Sequence, residues 1–200
     1  MIKVSALMAT TSKRDAFRPR ALECFRDQRY PDDWEVDLVV NAHETNTLGR
    51  KLNDMVEQST ADYFLTWDDD DWHSPTRIVR QIAPLTTGYD YSGTSKIFYH
   101  DVGTNEGWLY TGPPRVWLGG FAFKRSLWEN SHFRDITIGV DTRWQQLMQQ
   151  EYKAKYFDVA DPALFIASKH PGNACPKNTT TCVWSRAQLP DFPRIQAETK

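Results

Sequence analysis

The sequence predicts an α/β fold in which helices flank a central, mostly parallel sheet. Within the first hundred residues, short segments with the composition of strands alternate with segments of helical periodicity. This alternation is typical of parallel strands joined by crossover helices. The length of 200 residues suits one large domain. We expect a single domain over 1–200, with halves at 1–100 and 101–178 and a loop-rich tail at 179–200.

Three segments of the front half have the apolar, β-branched or aromatic composition of buried strands. Each is short, and each is separated from the next by a segment of different periodicity. The three predicted strands are Lys3–Ala9, Glu35–Val40 and Tyr63–Trp67.

Helical segments follow each of these strands. Pro19–Gln28 carries apolar residues at helical spacing, behind a proline suited to a first turn. In Leu48–Val56 the apolar positions recur at i, i+4, i+7 and i+8, which predicts an amphipathic helix. A third helix is predicted through Leu85, with Ser74 as its N-cap and Pro75 as its first residue.

The second hundred residues lack this alternation. Short strand-like segments are interrupted by Gly, Pro, Asn and Asp, and one further helix is expected from Asp141 or Thr142 to about Tyr152. The tail from Pro171 has the composition of a loop. The strand-like segments are Tyr89–Tyr99, Gly107–Tyr110, Trp117–Phe123 and Lys155–Val159.

Composition excludes several classes of protein. With 24 basic and 26 acidic residues the net charge is −2, so there is no global basic field to hold bulk nucleic acid. Eight Trp, eight Tyr and ten Phe argue against disorder. Three cysteines without CxxC spacing suggest neither a disulfide framework nor a zinc site. Since no apolar run is long enough for a signal peptide or a membrane span, we expect a soluble cytoplasmic protein.

The strongest chemical signal is a run of four aspartates, Asp68–Asp71, between two tryptophans. It follows the third predicted strand directly, and ligands of open α/β sheets bind beyond the carboxyl ends of strands. Adjacent carboxylates repel one another unless a cation lies between them. Mg²⁺ in particular prefers one or two carboxylates together with substrate phosphates. The run therefore predicts a metal–phosphate site, the alternative being a solvated acidic turn.

The run from Tyr63 to Trp72 resembles the DxD region of family 2 glycosyltransferases with the GT-A fold. Further segments resemble that family in the same order along the chain. They are Val4–Thr10, Arg18–Leu22, Gln28–Pro31, Gly49–Asn53, Gly119–Trp128, Ile138–Arg143 and His170–Asn173. The resemblance implies a Rossmann-like central sheet, a smaller mixed sheet on the acceptor side, and a front half that binds a nucleotide-diphosphate sugar.

The resemblance also implies roles for particular residues. Asp68 and Asp69 would contact the donor, and Asp68 and Asp70 would bind Mn²⁺ or Mg²⁺ together with His170. The cation would neutralise charge on the diphosphate leaving group. Asp141 would be the general base that deprotonates the acceptor hydroxyl, giving inversion. A helix N-cap is the alternative role for Asp141, and an ordinary surface or core histidine is the alternative for His170.

Other candidates come from their positions at strand ends and in loops. Thr10 and Thr11 end the first strand and Asn41 ends the second, so all three should line the nucleotide pocket. Lys51, or its neighbour Arg50, could pair with the phosphates, although surface solvation is as good an interpretation. Gly119 and Gly120, with Trp117, are expected to shape the sugar and acceptor cleft.

Two positions depart from the family pattern. Asn41-Ala42 stands where the family has a carboxylate pair that binds the base, which leaves a uridine donor only weakly favoured. Val140 stands where a glutamate commonly precedes the catalytic aspartate.

Alternative functions are a metal-dependent nucleotidyl- or phosphoryl-transfer enzyme and a non-catalytic module that binds nucleotide sugars. For a glycosyltransferase, the acceptor would be a glycan or a lipid-linked glycan. A hydroxymethylated base in DNA is a second acceptor hypothesis. It rests on the basic residues Lys13, Arg14, Arg18, Arg20, Arg26 and Arg29.

Overall fold

The computed structural model describes residues 1–113, 120–173 and 179–193. These ranges contain five α-helices and eleven strands. The helices are α1 (Arg18–Arg26), α2 (Leu48–Gln58), α3 (Arg77–Thr86), α4 (Arg125–Asn130) and α5 (Val140–Gln150). The strands are β1 (Ile2–Ala9), β2 (Trp34–Asn41), β3 (Tyr63–Thr66), β4 (Trp72–His73), β5 (Tyr91–Gly93), β6 (Phe98–Asp101), β7 (Glu106–Tyr110), β8 (Ala122–Lys124), β9 (Tyr156–Asp158), β10 (Phe165–Lys169) and β11 (Trp184–Arg186).

The first sheet has six strands in the order β2-β1-β3-β8-β5-β9. β1 pairs in parallel with both β2 and β3, and β5 pairs in parallel with β9. Only β8 runs against its neighbours β3 and β5. The predicted α/β class with a mostly parallel central sheet is therefore confirmed.

The second sheet has five strands in the order β11-β7-β6-β10-β4. Its pairings are antiparallel except for that of β10 with β6. It is the smaller mixed sheet that the resemblance implied. Its edge strand β4 follows β3 of the first sheet after only a short loop, so the two sheets meet at the acidic run.

The core lies on both faces of the first sheet. Because side chains alternate along a strand, Leu7 and Phe64 point to one face, while Ala6 and Leu65 point to the other. On the first face they pack against side chains of α2 and α5, such as Met55 and Trp144. On the second face they pack against side chains of α1 and α3, such as Ala21 and Ile78.

Most predicted elements of the front half appear within two residues of their expected ends, but α3 begins later than predicted. Ser74 is not its N-cap and Pro75 is not its first residue, since the cap is Thr76 and the helix starts at Arg77. The reason is that Ser74 still belongs to the extended chain, where its N–H donates to the Leu164 carbonyl at 3.1 Å.

Three strands were not predicted from the sequence, namely β4, directly after the acidic run, and β10 and β11 in the second half of the chain. The predicted strand Trp117–Phe123 corresponds to β8, whose first residue is Ala122, and its first three residues lie outside the described ranges. None of the helices in the described ranges has the length and hydropathy needed to cross a bilayer.

Candidate active site

The four aspartates form a loop, here called the acidic loop (Asp68–Asp71), that turns at its centre between β3 and β4. Asp68, Asp70 and Asp71 each offer a carboxylate oxygen, and these oxygens lie within 4.8 Å of one another. An extended run would have grouped Asp68 with Asp70 alone. The turn adds Asp71, which the sequence had not singled out.

Asp69 does not belong to that group and is completely buried. Its Oδ1 accepts a hydrogen bond from Arg14 Nη1 at 2.8 Å, and the same nitrogen lies 3.1 Å from Asp70 Oδ2. Burial raises the pKa of Asp69, and the charge of Asp70 raises it further, against the opposing effect of Arg14. Within the described residues, Asp69 Oδ2 has no hydrogen-bond partner.

Asp70 is contacted by the turn that follows β10. His170 Nε2 lies 3.0 Å from Asp70 Oδ2, and Asn173 Nδ2 donates to the same oxygen at 3.1 Å. The imidazole stacks on Phe17 with 4.4 Å between ring centroids, and the His170 N–H donates to Asn173 Oδ1 at 2.9 Å. These contacts bring His170 to the acidic loop across 100 residues of sequence.

β10 of the second sheet and helix α1 also hold the acidic loop. The Ser168 N–H on β10 donates to Asp71 Oδ1 at 2.8 Å. Arg20 on α1 donates to the Asp70 carbonyl at 2.8 Å and to Ser168 Oγ at 3.1 Å. Burial lowers the pKa of Arg20, although the nearby Asp71 opposes this. The loop is thus bound by the second sheet and by α1.

A buried polar network of Arg77 and His73 holds the start of the acidic loop. Arg77 donates to the Thr66 carbonyl at the end of β3 and to His73 Nδ1, both at 2.5 Å, and His73 Nε2 lies 2.9 Å from the Asp68 carbonyl. Burial lowers the pKa of Arg77 to about 10. Burial and the charge of Arg77 lower the pKa of His73 well below its usual value. Neutral His73 can therefore accept through Nδ1 and donate through Nε2.

The residues predicted at the ends of β1 and β2 lie side by side. The Thr10 N–H donates to the Asn41 carbonyl at 3.0 Å. Lys51 is buried and donates from Nζ to the Thr10 carbonyl at 2.6 Å, and burial lowers its pKa. Thr11 is the N-cap of a short 3₁₀ helix, Ser12–Arg14, that carries Arg14 to the acidic loop. Arg50, the alternative to Lys51, is exposed and pairs with Asp54 at 2.8 Å.

Gly120 lies beside the carboxyl end of β3 and packs closely. A Cβ atom at Gly120 would lie 2.3 Å from Phe165 Cε1. The Gly120 carbonyl accepts a hydrogen bond from Gln81 Nε2. The predicted cleft residues Trp117 and Gly119 lie outside the described residues.

Asp141 lies in the first turn of α5 and is not its N-cap, which is Gly139 in a left-handed conformation. Its Oδ1 lies 3.5 Å from the Thr142 hydroxyl. Trp144 of the same helix packs on Phe121 with 5.0 Å between centroids, and the Phe121 carbonyl accepts from the N–H of Thr66 in β3. Packing thus links the helix that carries Asp141 to the strand that carries the acidic loop.

Arg14 and Arg20 were not predicted as parts of this site, since from the sequence both counted only among the basic residues of a hypothetical DNA-binding face. No local pattern identifies them, because their partners Asp69 and Asp70 are 55 and 50 residues away. Their role follows from the fold, which places the β1–α1 segment and the start of α1 against the acidic loop.

Comparison with known proteins agrees with this geometry. The sequence pattern described as "Glycosyl transferase family 2" matches residues 15–152. The chain belongs to glycosyl transferase family 2. The matched segment of this family 2 member includes the acidic loop and Asp141. No curated protein matches the chain in sequence.

Solved structures of similar fold include TarS from S. aureus and a mannosyltransferase. TarS in complex with UDP has a TM-score of 0.61 at 16% identity over 85% of this chain and 61% of that chain. TarS with UDP-GlcNAc gives 0.62 at 16% identity over 86% and 60%. PcManGT from Pyrobaculum calidifontis, in complex with GDP-Man and Mn²⁺, gives 0.61 at 14% identity over 83% and 56%.

These similarities establish that this family 2 member has the GT-A fold, as the resemblance implied. The chain spans about three fifths of the length of each of these structures.

Proposed function

We propose that the protein transfers a sugar from a nucleotide-diphosphate donor to an acceptor hydroxyl with the aid of a divalent cation. The observation that carries this proposal is the group of three carboxylates, Asp68, Asp70 and Asp71, within 4.8 Å at the carboxyl end of β3. Ligands of open α/β sheets bind at such strand ends. Membership of family 2 supports the choice of sugar transfer.

The chemistry of the donor set fits a hard cation. Carboxylate oxygens suit Mg²⁺ and Mn²⁺. Asp68, Asp70 and Asp71 would hold the ion, and His170, next to Asp70, is our candidate for a further ligand. When bound, the cation supplies Lewis-acid stabilisation of charge on the diphosphate leaving group.

The donor would lie along the carboxyl edge of the first sheet. Thr10, Thr11 and Asn41 end the two strands beside the acidic loop, and we propose that they bind the nucleoside. Lys51, Asp68 and Asp69 would complete the donor site, together with the backbone at Gly119 and Gly120. Because the similar structures hold UDP, UDP-GlcNAc and GDP-Man, we propose a UDP- or GDP-sugar as the donor, with UDP first.

Asp141 would accept the proton of the acceptor hydroxyl as that oxygen attacks the anomeric carbon, giving inversion. Its place at the start of α5 leaves the carboxylate partly exposed rather than packed in the core.

The acceptor we propose is a glycan or a lipid-linked glycan. The DNA hypothesis loses part of its support, because Arg14 and Arg20 are engaged by the acidic loop.

The deciding experiment measures nucleotide release from a panel of UDP-, GDP- and dTDP-sugars with Mn²⁺ or with EDTA. We expect one nucleotide to be released in a Mn²⁺-dependent way, and Asp70→Ala to reduce the rate by at least about 100-fold, since electrostatic stabilisation of the leaving group is lost. Asp37→Ala is the matched control, because it removes an exposed carboxylate from β2.

No release from any donor, or release that is insensitive to both EDTA and Asp70→Ala, would overturn the proposed function. Release of diphosphate instead of a nucleotide would favour the nucleotidyl- or phosphoryl-transfer alternative. Mn²⁺-dependent binding of a donor without turnover would favour the non-catalytic module.

A further inference from the structure

Arg14 covers the buried carboxylates of the acidic loop. Its Nη1 contacts Asp69 Oδ1 at 2.8 Å and Asp70 Oδ2 at 3.1 Å. The side chains of Asp69 and Asp70 are 0% and 5% exposed, whereas that of Arg14 is 21% exposed. The guanidinium therefore lies between the buried carboxylates and solvent.

This contact supplies charge that the buried carboxylates need. A buried ionised carboxylate without a counter-charge is strongly unfavourable. Arg20, the other arginine at the loop, donates to the Asp70 carbonyl and to Ser168 Oγ. Arg14, by contrast, contacts oxygens of both carboxylates directly.

The position of Arg14 conflicts with a cation at the loop. A cation held by Asp68, Asp70 and Asp71 would share Asp70 with the Arg14 guanidinium, and the two positive groups would repel at short range. Arg14 can relieve the repulsion by moving, because its side chain is partly exposed and its backbone lies in the short Ser12–Arg14 segment.

We propose that Arg14 is a positioning residue that leaves the acidic loop for the donor diphosphate when a divalent cation binds, and so couples the affinities for cation and donor. The proposal rests on the proposed function, since it requires both ligands at this edge of the sheet. The planar guanidinium matches the oxygens of a phosphate. Arg14 follows the strand end formed by Thr10 and Thr11, where the donor would lie. Without a cation, the Arg14 guanidinium neutralises the charge of the acidic loop. Arg14 contacts the diphosphate only after the cation has bound.

The test measures Mn²⁺ binding by electron paramagnetic resonance of the free ion, with and without UDP, in the wild type, Arg14→Gln and Lys13→Gln. Lys13 is the matched control, because it is exposed, belongs to the same short helix and carries the same charge. Without UDP, we expect Arg14→Gln to bind Mn²⁺ about tenfold more tightly than the wild type, since a competing charge is gone.

A second expectation concerns the effect of UDP on Mn²⁺ binding. The factor by which UDP strengthens Mn²⁺ binding should be about tenfold smaller in Arg14→Gln than in the wild type, because the residue that couples the two ligands is missing. By linkage, the factor by which Mn²⁺ strengthens UDP binding should fall equally. Lys13→Gln should match the wild type in both measurements.

Unchanged or weaker Mn²⁺ binding by folded Arg14→Gln without UDP would overturn the role of Arg14 while leaving the cation site in place. Failure of the wild type to bind Mn²⁺ at all would overturn the cation site itself and Arg14's role with it. If circular dichroism shows that Arg14→Gln is unfolded, Arg14→Lys replaces it. This variant keeps the positive charge but lacks the planar guanidinium that can bind two phosphate oxygens at once. The effect of UDP on Mn²⁺ binding should therefore still fall. An undiminished effect would overturn the proposal.

Discussion

The acidic loop is held by three arginines that come from different elements of the fold. Arg14, Arg20 and Arg77 approach it from the β1–α1 segment, from α1 and from α3. Each serves a different part of the loop, since Arg14 contacts carboxylates, Arg20 contacts main chain, and Arg77 acts through His73. A site of four adjacent acids therefore depends on three basic residues for its shape.

The sequence identified the acids of this site but not their supports. Asp68 and Asp70 could be predicted because they follow a buried strand, a feature visible within ten residues. The arginines could not be predicted, because arginine on an amphipathic segment is usually solvated. The role of His73, next to the loop, could not be predicted either, since it depends on the burial of the imidazole against Arg77.

Replacing Asp141 with Asn tests the proposed base. We expect kcat for sugar transfer to fall by about 10²- to 10⁴-fold, because an amide cannot accept the proton. Donor affinity should stay unchanged. The measurements are steady-state kinetics and UDP binding, with Glu151→Gln, exposed at the other end of α5, as the control. Activity within threefold of the wild type would exclude Asp141 as the base.

The buried imidazole of His73 predicts a dependence of stability on pH. Burial and the charge of Arg77 lower its pKa in the folded state, so below pH 6.5 the unfolded chain gains a proton that the folded chain does not. The free energy of unfolding should therefore decrease as pH falls below 6.5, by up to about 1.4 kcal/mol per pH unit from this residue.

Urea unfolding between pH 7.5 and 5.5 in EDTA checks this expectation. His73→Gln should show a shallower decrease than the wild type, although it is less stable at pH 7.5. His43→Gln, which removes an exposed histidine, should keep the wild-type slope. Equal slopes for His73→Gln and the wild type would contradict the prediction.

Among the secondary-structure elements, the long ones were predictable, and the strands that were missed include the shortest. β1, β2, α2 and α5 carry their own apolar pattern over eight or more residues. β4 has two residues and β11 has three, too few for any period to show. Such strands exist because a partner strand offers hydrogen bonds, so they are properties of the sheet rather than of the segment.

The start of α2 makes a contact that a single methyl group should disrupt. A Cβ atom at Gly49 would lie 1.8 Å from the Arg134 carbonyl oxygen, which belongs to main chain and cannot rotate away. Helix propensity alone would favour alanine by up to about 1 kcal/mol. We nevertheless expect Gly49→Ala to lower the free energy of unfolding by about 2 kcal/mol, as overpacking does.

Equilibrium urea unfolding measures this difference. Gly103→Ala is the matched control, since the atom nearest to its added Cβ lies 3.5 Å away, and we expect a change within about 0.5 kcal/mol. A Gly49→Ala protein as stable as the wild type would show that α2 does not pack on the main chain at 134.

For the molecule as a whole, the acidic loop is the point where two sheets are joined. It leaves β3 of the first sheet and enters β4 of the second, and β10 of the second sheet supplies the N–H of Ser168 and the turn with His170. A ligand bound at this loop contacts both halves of the fold, so its binding energy should stabilise the whole molecule.

Thermal unfolding with Mn²⁺ and UDP tests this coupling. At ligand concentrations of about 100 times Kd, binding adds about 2.7 kcal/mol, which for a chain of this size raises Tm by about 5–10 °C. EDTA and Asp70→Ala should each abolish the Mn²⁺-dependent part of the shift, whereas Asp37→Ala should keep it. A Tm that is insensitive to Mn²⁺ plus UDP would argue against a ligand site between the sheets.

The continuity of the acidic loop from one sheet to the other has a consequence for the proposed cation. The spacing of its carboxylates depends on how closely the sheets approach, and oxygen ligands lie at about 2.0–2.1 Å from Mg²⁺ but 2.3–2.6 Å from Ca²⁺. Substitutions in the core far from the loop, by moving one sheet a few tenths of an ångström, can therefore change ion selectivity without altering a single ligand. If the protein binds the proposed cation, its discrimination between metals would thus depend on the interior packing.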